Sequence, residues 1–135
     1  MVLPHLPGGA VDPEETTIEA AKREMMEESG WVGINFKQIK IPGNWKLDIS
    51  EEDQLIYFPN WKINKDFKSE TYIFILCEAV DFNPTSQYGI EKDDHEFVLN
   101  DIKLIHDLTK NSISKDKRRE FQKQFRLKCF DYLKV

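Results

Sequence analysis

A helix with a defined start and a defined end is the feature that most constrains the fold of this chain. Thr16 and Glu19 have the spacing of a capping box, in which each side chain satisfies a backbone N–H at the helix start. Gly30 is the expected end, because glycine adopts the left-handed conformation without a Cβ penalty. The apolar residues in between recur at three- and four-residue steps: Ile18, Ala21 and Met25. The sequence therefore predicts one amphipathic helix over residues 16–29.

The polar side of this helix is acidic. Glu24, Glu27 and Glu28 are spaced i, i+3 and i+4, which places three carboxylates on one helix surface. Because like charges repel at this spacing, a bound cation is expected to offset the cost. Mg²⁺ prefers oxygen ligands and bridges carboxylates to substrate phosphates. Gly8 and Gly9, just before the helix, let the backbone approach metal and phosphate closely. The pattern indicates a metal site for diphosphate chemistry.

A second charged group accompanies these carboxylates. Arg23 lies beside them, four residues before Glu27. A partly buried arginine commonly holds carboxylates in position through bidentate hydrogen bonds. We expect Arg23 to do so here, and Glu15, in the loop before the helix, is its expected second partner.

The rest of the chain predicts a mixture of strands and helices. Residues 32–41 are expected to contain a strand, and residues 71–80 are the strongest strand, buried on both faces because nearly every residue is apolar. Residues 42–60 and 81–94 are rich in loop-forming residues. Residues 97–105 predict a strand, and residues 102–108 could turn helical instead.

A final helix is expected over residues 114–133, capped by Ser114. One stripe along it is apolar at i, i+4 spacing: Phe121, Phe125, Cys129 and Leu133. Its flank is basic, with Lys115, Lys117, Arg118, Arg119, Lys123, Arg126 and Lys128. A solvated face is the common role of such a flank, and a surface that contacts phosphates or RNA is the alternative.

Composition limits the class of protein. A chain of 135 residues with 40% hydrophobic residues is expected to form a single domain over residues 1–135. A net charge of −5 argues against a general nucleic-acid binder. Cys77 and Cys129 are isolated, so we expect reduced thiols in a cytoplasmic protein. The longest apolar run, residues 72–77, is too short to cross a bilayer.

Residues 9–31 resemble the Nudix box, G-x5-E-x7-R-E-U-x-E-E-x-G-U, in which U is bulky and apolar. Every fixed position is filled in order, by Gly9, Glu15, Arg23, Glu24, Met25, Glu27, Glu28, Gly30 and Trp31. The preceding Leu6-Pro7-Gly8 is similar to the family's usual lead-in. The chain is thus identified as similar to the Nudix hydrolases, which cleave diphosphate linkages in nucleotide-like substrates.

This resemblance implies roles for individual residues. Glu24, Glu27 and Glu28 resemble the ligands of Mg²⁺ or Mn²⁺, joined by the backbone carbonyl of Gly8. Arg23 resembles the arginine that pairs with Glu15 and orients the site. In many members, a further acidic residue from a later loop binds metal or acts as base. Four residues here occupy that region, and the last is preferred: Glu91, Asp93, Asp94 and Glu96.

The resemblance also implies an α/β fold, an α/β/α sandwich around a mixed central sheet. Only eight residues precede Gly9, so the usual N-terminal strands are expected to be lacking. Three explanations stay open: a start downstream of the natural one, a sheet completed by another chain, or a divergent layout that reuses later strands. An exposed sheet edge would favour a homodimer formed by strand addition.

Three functional hypotheses follow. The first is a metal-dependent Nudix pyrophosphohydrolase acting on a nucleoside diphosphate linked to another group. The second is a Nudix-fold module that binds nucleotide or RNA without hydrolysis, and the third is a partner- or RNA-docking surface on the final basic helix. Residues considered for substrate contact are Trp45, Tyr57 and Trp61 for base stacking, with core or loop packing as the alternative, and Lys62, Lys65 and Lys68 for phosphate. His5, His95 and His106 show no metal spacing, and Cys77 is expected to be unreactive core.

Overall fold

The computed structural model of the chain describes residues 7–82 and 102–134. Within these ranges the elements follow one another as α1 (Thr17–Ser29), β1 (Trp31–Ile39), β2 (Lys46–Asp48), α2 (Glu51–Tyr57), β3 (Ser69–Thr71), β4 (Phe74–Phe82), α3 (Ile102–Asn111) and α4 (Lys117–Tyr132). No helix in these two ranges has both the length and the apolar character needed to cross a bilayer.

Helix α1 forms where the sequence predicts it. The Thr16 hydroxyl accepts from the Glu19 N–H at 3.1 Å, and the Glu19 carboxylate accepts from the Thr16 N–H at 3.3 Å. Gly30 ends the helix in the left-handed conformation with φ of 73°. The apolar face is half-buried, and α1 packs against β1. The predicted helix is confirmed, and its two caps fix where the acidic residues fall along it.

Strands β1 and β4 pair antiparallel, with Trp31 opposite Phe82 and Ile39 opposite Phe74. Both expected strands are confirmed, although residues 69–71 form the separate strand β3. The expectation that residues 71–80 are buried on both faces was wrong, since Leu76 is 36% and Val80 52% exposed. Among the described strands β4 pairs only with β1, and an apolar strand is buried on both faces only where other elements cover both.

The region expected to be loop contains two short elements. β2 pairs antiparallel with β3, and α2 begins at a second capping box, formed by Ser50 and Asp53. Elements of three and seven residues are too short to show a periodic pattern. Both described sheets are antiparallel, so the mixed part of the expected central sheet is not seen within residues 7–82 and 102–134.

Helix α4 closes the core. Phe125 and Cys129 are buried against Ile39 and Ile41, and three partly buried aromatic residues surround them: Trp45, Tyr72 and Phe74. The predicted stripe on this helix is confirmed, since its outer members, Phe121 and Leu133, are half-buried. Burial raises the pKa of the Cys129 thiol to about 12, so this cysteine is protonated at neutral pH.

Two predictions about the C-terminal part need correction. The cap of α4 is Asp116, whose carboxylate accepts from the Arg119 N–H at 2.8 Å, whereas the Ser114 hydroxyl donates to Glu120 at 2.6 Å. Ser114 lies too far before the first helical residue to reach the orphan N–H groups of the first turn. Residues 102–105 belong to α3 and not to a strand, because the helical periodicity of residues 102–111 prevails; residues 97–101 lie outside the described residues.

A buried amide holds α2 to the segment that follows it. Gln54 is 6% exposed, and its side chain donates to the carbonyls of Asn64 at 2.9 Å and Phe67 at 3.0 Å. Its own carbonyl accepts from the Asn64 N–H at 2.9 Å. Three backbone groups therefore depend on one side chain.

We expect Gln54→Ala to lower the free energy of unfolding by about 1–3 kcal/mol, because it leaves buried backbone groups without partners. Urea denaturation measures this loss. The control is Gln124→Ala, an exposed glutamine on α4, which is expected to change stability by no more than about 0.5 kcal/mol. Equal losses in the two variants would show that the buried bonds of Gln54 contribute little.

Candidate functional site

Arg23 on α1 ties the preceding loop to the helix. Its Nε donates to Glu15 Oε2 at 3.2 Å and its Nη2 to Glu15 Oε1 at 2.6 Å, a bidentate pair. Nη2 also donates to the carbonyl of Ala10 at 2.9 Å. The expected contact between Arg23 and Glu15 is therefore present, and it fixes the loop over the first turns of α1.

The same guanidinium orders two of the three predicted ligands. Nη1 of Arg23 donates to Glu24 Oε1 at 2.7 Å and to Glu27 Oε2 at 3.3 Å. It contacts one oxygen of each carboxylate. Since a carboxylate has two oxygens and about four lone-pair positions, both groups can accept from Arg23 and still bind a cation.

The glycine turn lies directly against these carboxylates. The Gly8 N–H donates to Glu28 Oε2 at 3.1 Å. A Cβ built on Gly9 would lie 2.5 Å from the Cδ of Glu24, closer than real Cβ atoms approach. Gly9 therefore leaves the space that the Glu24 carboxylate occupies. The turn and the acidic face of α1 form one continuous site, which we call the acidic site: Gly8, Gly9, Glu15, Arg23, Glu24, Glu27 and Glu28.

Hydrogen bonds within the acidic site stabilise the charged forms of Glu15 and Arg23. Hydrogen bonds from Arg23 lower the pKa of Glu15, with a smaller contribution from the Asp12 backbone. The hydrogen bonds that Arg23 donates to Glu15 and Glu24 raise its own pKa, so the guanidinium is always charged. The side chains of Glu15 and Glu24 are each 14% exposed and that of Glu27 is 35% exposed. Glu27 is thus the carboxylate of these three that solvent and ligand reach most readily.

The donor set of the acidic site fits a hard divalent cation. Its side-chain ligands are all carboxylate oxygens, the type that Mg²⁺ and Mn²⁺ prefer. In the described part of the chain, no three His, Cys, Asp or Glu side chains already converge on a point as in a closed metal cage. Arg23 occupies the space between Glu24 and Glu27. What makes the residues suitable is that Arg23 bonds only one oxygen of Glu24 and one of Glu27.

Two contacts of Asp12 were not anticipated from the sequence. Its Oδ2 lies 3.7 Å from Arg23 Nε, and its N–H donates to Glu15 Oε1 at 2.8 Å. The Glu15 N–H in turn donates to the Asp12 carbonyl at 3.1 Å. Asp at the first position of a turn followed by proline is a common turn pattern, so Asp12-Pro13 is the signal that could have predicted this geometry. The turn holds Glu15 in place for Arg23.

Several predicted residues lie outside the described residues. They are the later acidic group, namely Glu91, Asp93, Asp94 and the preferred Glu96, together with His5 and His95. The third histidine, His106, lies with its Nδ1 3.2 Å from Asp107 Oδ1, and its ring contacts Phe130 edge-on.

The aromatic residues considered for base stacking have different surroundings. Trp45 is a core residue, with its ring 5.2 Å from Phe125 and its indole N–H donating to the Pro42 carbonyl at 3.1 Å. Trp61 is 74% exposed and stacks on Phe58 at 5.3 Å. Tyr57 lines a cavity described below. The lysines considered for phosphate, Lys62, Lys65 and Lys68, are all exposed.

Cys77 lies beneath α1. Its Sγ is 3.4 Å from Met25 Sδ, and it is half-buried. Burial raises the pKa of the Cys77 thiol, which keeps the sulfur protonated and unreactive at neutral pH. Cys77 and Cys129 are both free cysteines.

Comparison with known proteins gives one match. A family model described as the NUDIX domain matches residues 2–114, which include the whole acidic site. No curated protein and no solved structure matches the chain. The family match confirms the α/β class with an α/β/α sandwich, in agreement with the helices and antiparallel strands of the described residues.

The bond from Arg23 makes stability depend on the charge of Glu15. The pKa of Glu15 is lowered in the folded protein. Its charge therefore contributes fully to the free energy of unfolding above the ordinary carboxyl pKa of about 4.3. That contribution is lost as pH falls through the lowered pKa of the folded protein. We expect Glu15→Gln to lower stability at neutral pH and the difference from the parent protein to shrink below about pH 4. Urea denaturation across pH 3–8 measures it.

Glu14→Gln is the matched control, since Glu14 is the exposed neighbour of Glu15. It is expected to follow the parent protein at every pH. A constant deficit for Glu15→Gln over the whole range would contradict the charge-dependent account.

Proposed function

The chain belongs to the NUDIX family, and we propose that it hydrolyses a diphosphate linkage in a nucleoside diphosphate joined to another group. The family assigns it to hydrolases of phosphorus-containing anhydrides. The observation that carries the proposal is the bidentate and bridging position of Arg23, which orders Glu15, Glu24 and Glu27 beside the glycine turn. A solvated acidic helix face needs no such support.

In this proposal, Glu24, Glu27 and Glu28, with the backbone carbonyl of Gly8, hold Mg²⁺ or Mn²⁺. A bound divalent cation neutralises diphosphate oxygens and lowers the pKa of a water molecule. Glu28 is kept in place by the Gly8 N–H, and Glu27 is exposed enough to meet substrate. Arg23 acts as a positioning residue, since its donors are taken up by protein carboxylates and the Ala10 carbonyl.

The general base is the second part of the proposal. A glutamate must take the proton of the attacking water while the leaving phosphate departs. The candidates are Glu28 and the later acidic group, Glu91, Asp93, Asp94 and Glu96, of which Glu96 is preferred. Glu28 lies at the glycine turn, and Glu96 falls in the stretch where relatives are expected to supply a later acidic residue.

Separate Glu27→Gln and Glu28→Gln variants test the assignment. We expect each to reduce hydrolysis of a nucleotide panel in the presence of Mg²⁺ by at least about 10²-fold, because a neutral amide is a poor ligand for a hard cation. Product release followed by mass spectrometry gives both rate and substrate. Glu52→Gln, an exposed carboxylate on α2, is the control and should keep parental turnover. Full turnover in both acidic-site variants would end the assignment.

Gly9→Ala tests whether the glycine turn positions Glu24. The added Cβ would force the carboxylate away, and displacement on this scale can lower kcat/KM by about 10²-fold. Gly8→Ala adds a Cβ that meets nothing within 4 Å, so a much smaller loss is expected. If the two variants lose activity equally, crowding at Glu24 is not the cause.

The binding-module hypothesis makes a different prediction for the same panel. Calorimetry would then show nucleotide binding with no products at any metal concentration. We rank it second, because every acidic position that metal chemistry needs is filled. The homodimer formed by strand addition, the RNA contact and the cytoplasmic location stay predictions. The two free thiols are what a reducing compartment maintains.

A further inference from the structure

A cavity of about 830 Å³ lies beside α4. Its walls come from the end of α2, from α3 and the segment that joins α3 to α4, and from the first three turns of α4. We call it the basic pocket: Tyr57, Pro59, Leu108, Thr109, Ser112, Ile113, Ser114, Lys115, Asp116, Arg118, Arg119, Lys123 and Arg126. This volume is in the range of small-molecule sites.

The lining is strongly cationic, with five basic side chains and one acidic. Two of these charges are already used within the protein. Arg118 donates to both oxygens of Glu70, at 2.7 and 3.0 Å, and lies over the Phe58 ring. Asp116, the acidic residue, caps α4. Arg118 is therefore a structural residue, and its proposed part in an RNA-docking surface does not fit its surroundings.

The other large cations have neutral partners. Lys123 donates to the Ser112 carbonyl at 2.9 Å, and Arg119 to the Gln122 side chain at 3.2 Å. Glu120, one turn before Lys123, is bound by Ser114 and Gln124. Arg126 is half-buried, and no salt bridge among residues 7–82 and 102–134 involves it. Burying a guanidinium costs free energy, and an anionic ligand would offset that cost.

The surroundings of Arg126 disfavour its charge. Burial lowers the pKa of this guanidinium, and so does the charge of Arg119, whereas Tyr72 and Glu28 raise it to a smaller extent.

We propose that the basic pocket binds an anion carrying two or more phosphates, with Arg119, Lys123 and Arg126 as its ligands. Arginine and lysine are the side chains that recognise phosphate oxygens, arginine through paired N–H groups.

The uncharged part of the lining suits a second group on the ligand. Tyr57, Pro59, Leu108 and Ile113 give one wall an apolar surface. Such a wall can accept the base and sugar of a nucleotide, whereas an inorganic polyphosphate would use only the cationic wall. A nucleotide and an inorganic polyphosphate share the phosphate chain, but only the nucleotide would contact Tyr57.

Calorimetric titration of the full chain without divalent metal tests the proposal, with ADP, tripolyphosphate and adenosine as separate probes. We expect ADP and tripolyphosphate to bind and adenosine to bind far more weakly. Arg126→Gln is expected to lower the binding affinity for both anions by at least about tenfold, the usual loss for a charge-assisted hydrogen bond. Lys128→Gln, on the exposed side of α4, is the matched control and should bind as the parent protein does.

A second variant tests the proposal even if Arg126→Gln does not fold. Arg119→Gln combined with Lys123→Gln changes one exposed and one half-buried side chain, and this double variant should weaken the binding of both anions to a similar extent. If the ligand is a nucleotide, Tyr57→Ala should weaken the binding of ADP and leave the binding of tripolyphosphate unchanged. If the ligand is a polyphosphate, the binding of both probes should stay unchanged. Anion binding that survives in every folded Arg/Lys variant, no binding by the parent protein, or adenosine as tight as ADP would overturn the proposal.

Turnover separates this proposal from the proposed function. If Glu27→Gln binds ADP like the parent protein without metal and has lost hydrolysis, both proposals stand. If the parent protein hydrolyses nothing on the panel but its ADP binding depends on Arg126, the proposed function fails and the basic pocket stands as an anion site. A folded Arg126→Gln variant that binds ADP and tripolyphosphate as tightly as the parent protein would overturn the basic pocket and leave the proposed function intact.

Discussion

The guanidinium of Arg23 is the interaction on which the organisation of the acidic site depends. It joins the loop before α1 to the helix through Glu15 and Ala10, and it spaces Glu24 and Glu27 on the opposite side. Without this central cation, the carboxylates of α1 would repel one another and the loop would lose its anchor. The mutual support between Arg23 and Glu15 is visible in their pKa values, which are displaced in opposite directions by the same bonds.

Helix α4 serves the rest of the molecule in two ways. Its apolar stripe completes the core against β1, and Arg118 ties it to β3 through Glu70. Once those contacts are made, Arg119, Lys123 and Arg126 are left around a cavity whose lining has five basic side chains and one acidic side chain. The protein as a whole is acidic, with a net charge of −5, so a local cationic surface is what a phosphate-bearing ligand would need. Packing of one helix thereby produces both a core and a charged pocket.

Elements whose signals are local were predictable. The start and end of α1 follow from Thr16, Glu19 and Gly30, all within one segment, and the stripe of α4 follows from its four-residue spacing. Predictions failed where the outcome depends on neighbours. The burial of β4 depends on what covers its faces, and the choice of Asp116 over Ser114 as cap depends on where the first turn begins. The short elements β2 and α2 have too few residues to show a period and form because β3 and the Gln54 bonds hold them.

The sequence by itself determined that three carboxylates share one surface of a capped helix next to a glycine turn, because helical spacing is a property of neighbouring residues. It also determined the family, since every fixed position of the motif is contained in residues 9–31. Only the tertiary structure decided that Gly9 leaves room for Glu24, that Arg118 is committed to Glu70, and that Tyr57 and Arg126 line the same cavity. These contacts join residues far apart in the chain, and their distances are set by how the helices and strands pack.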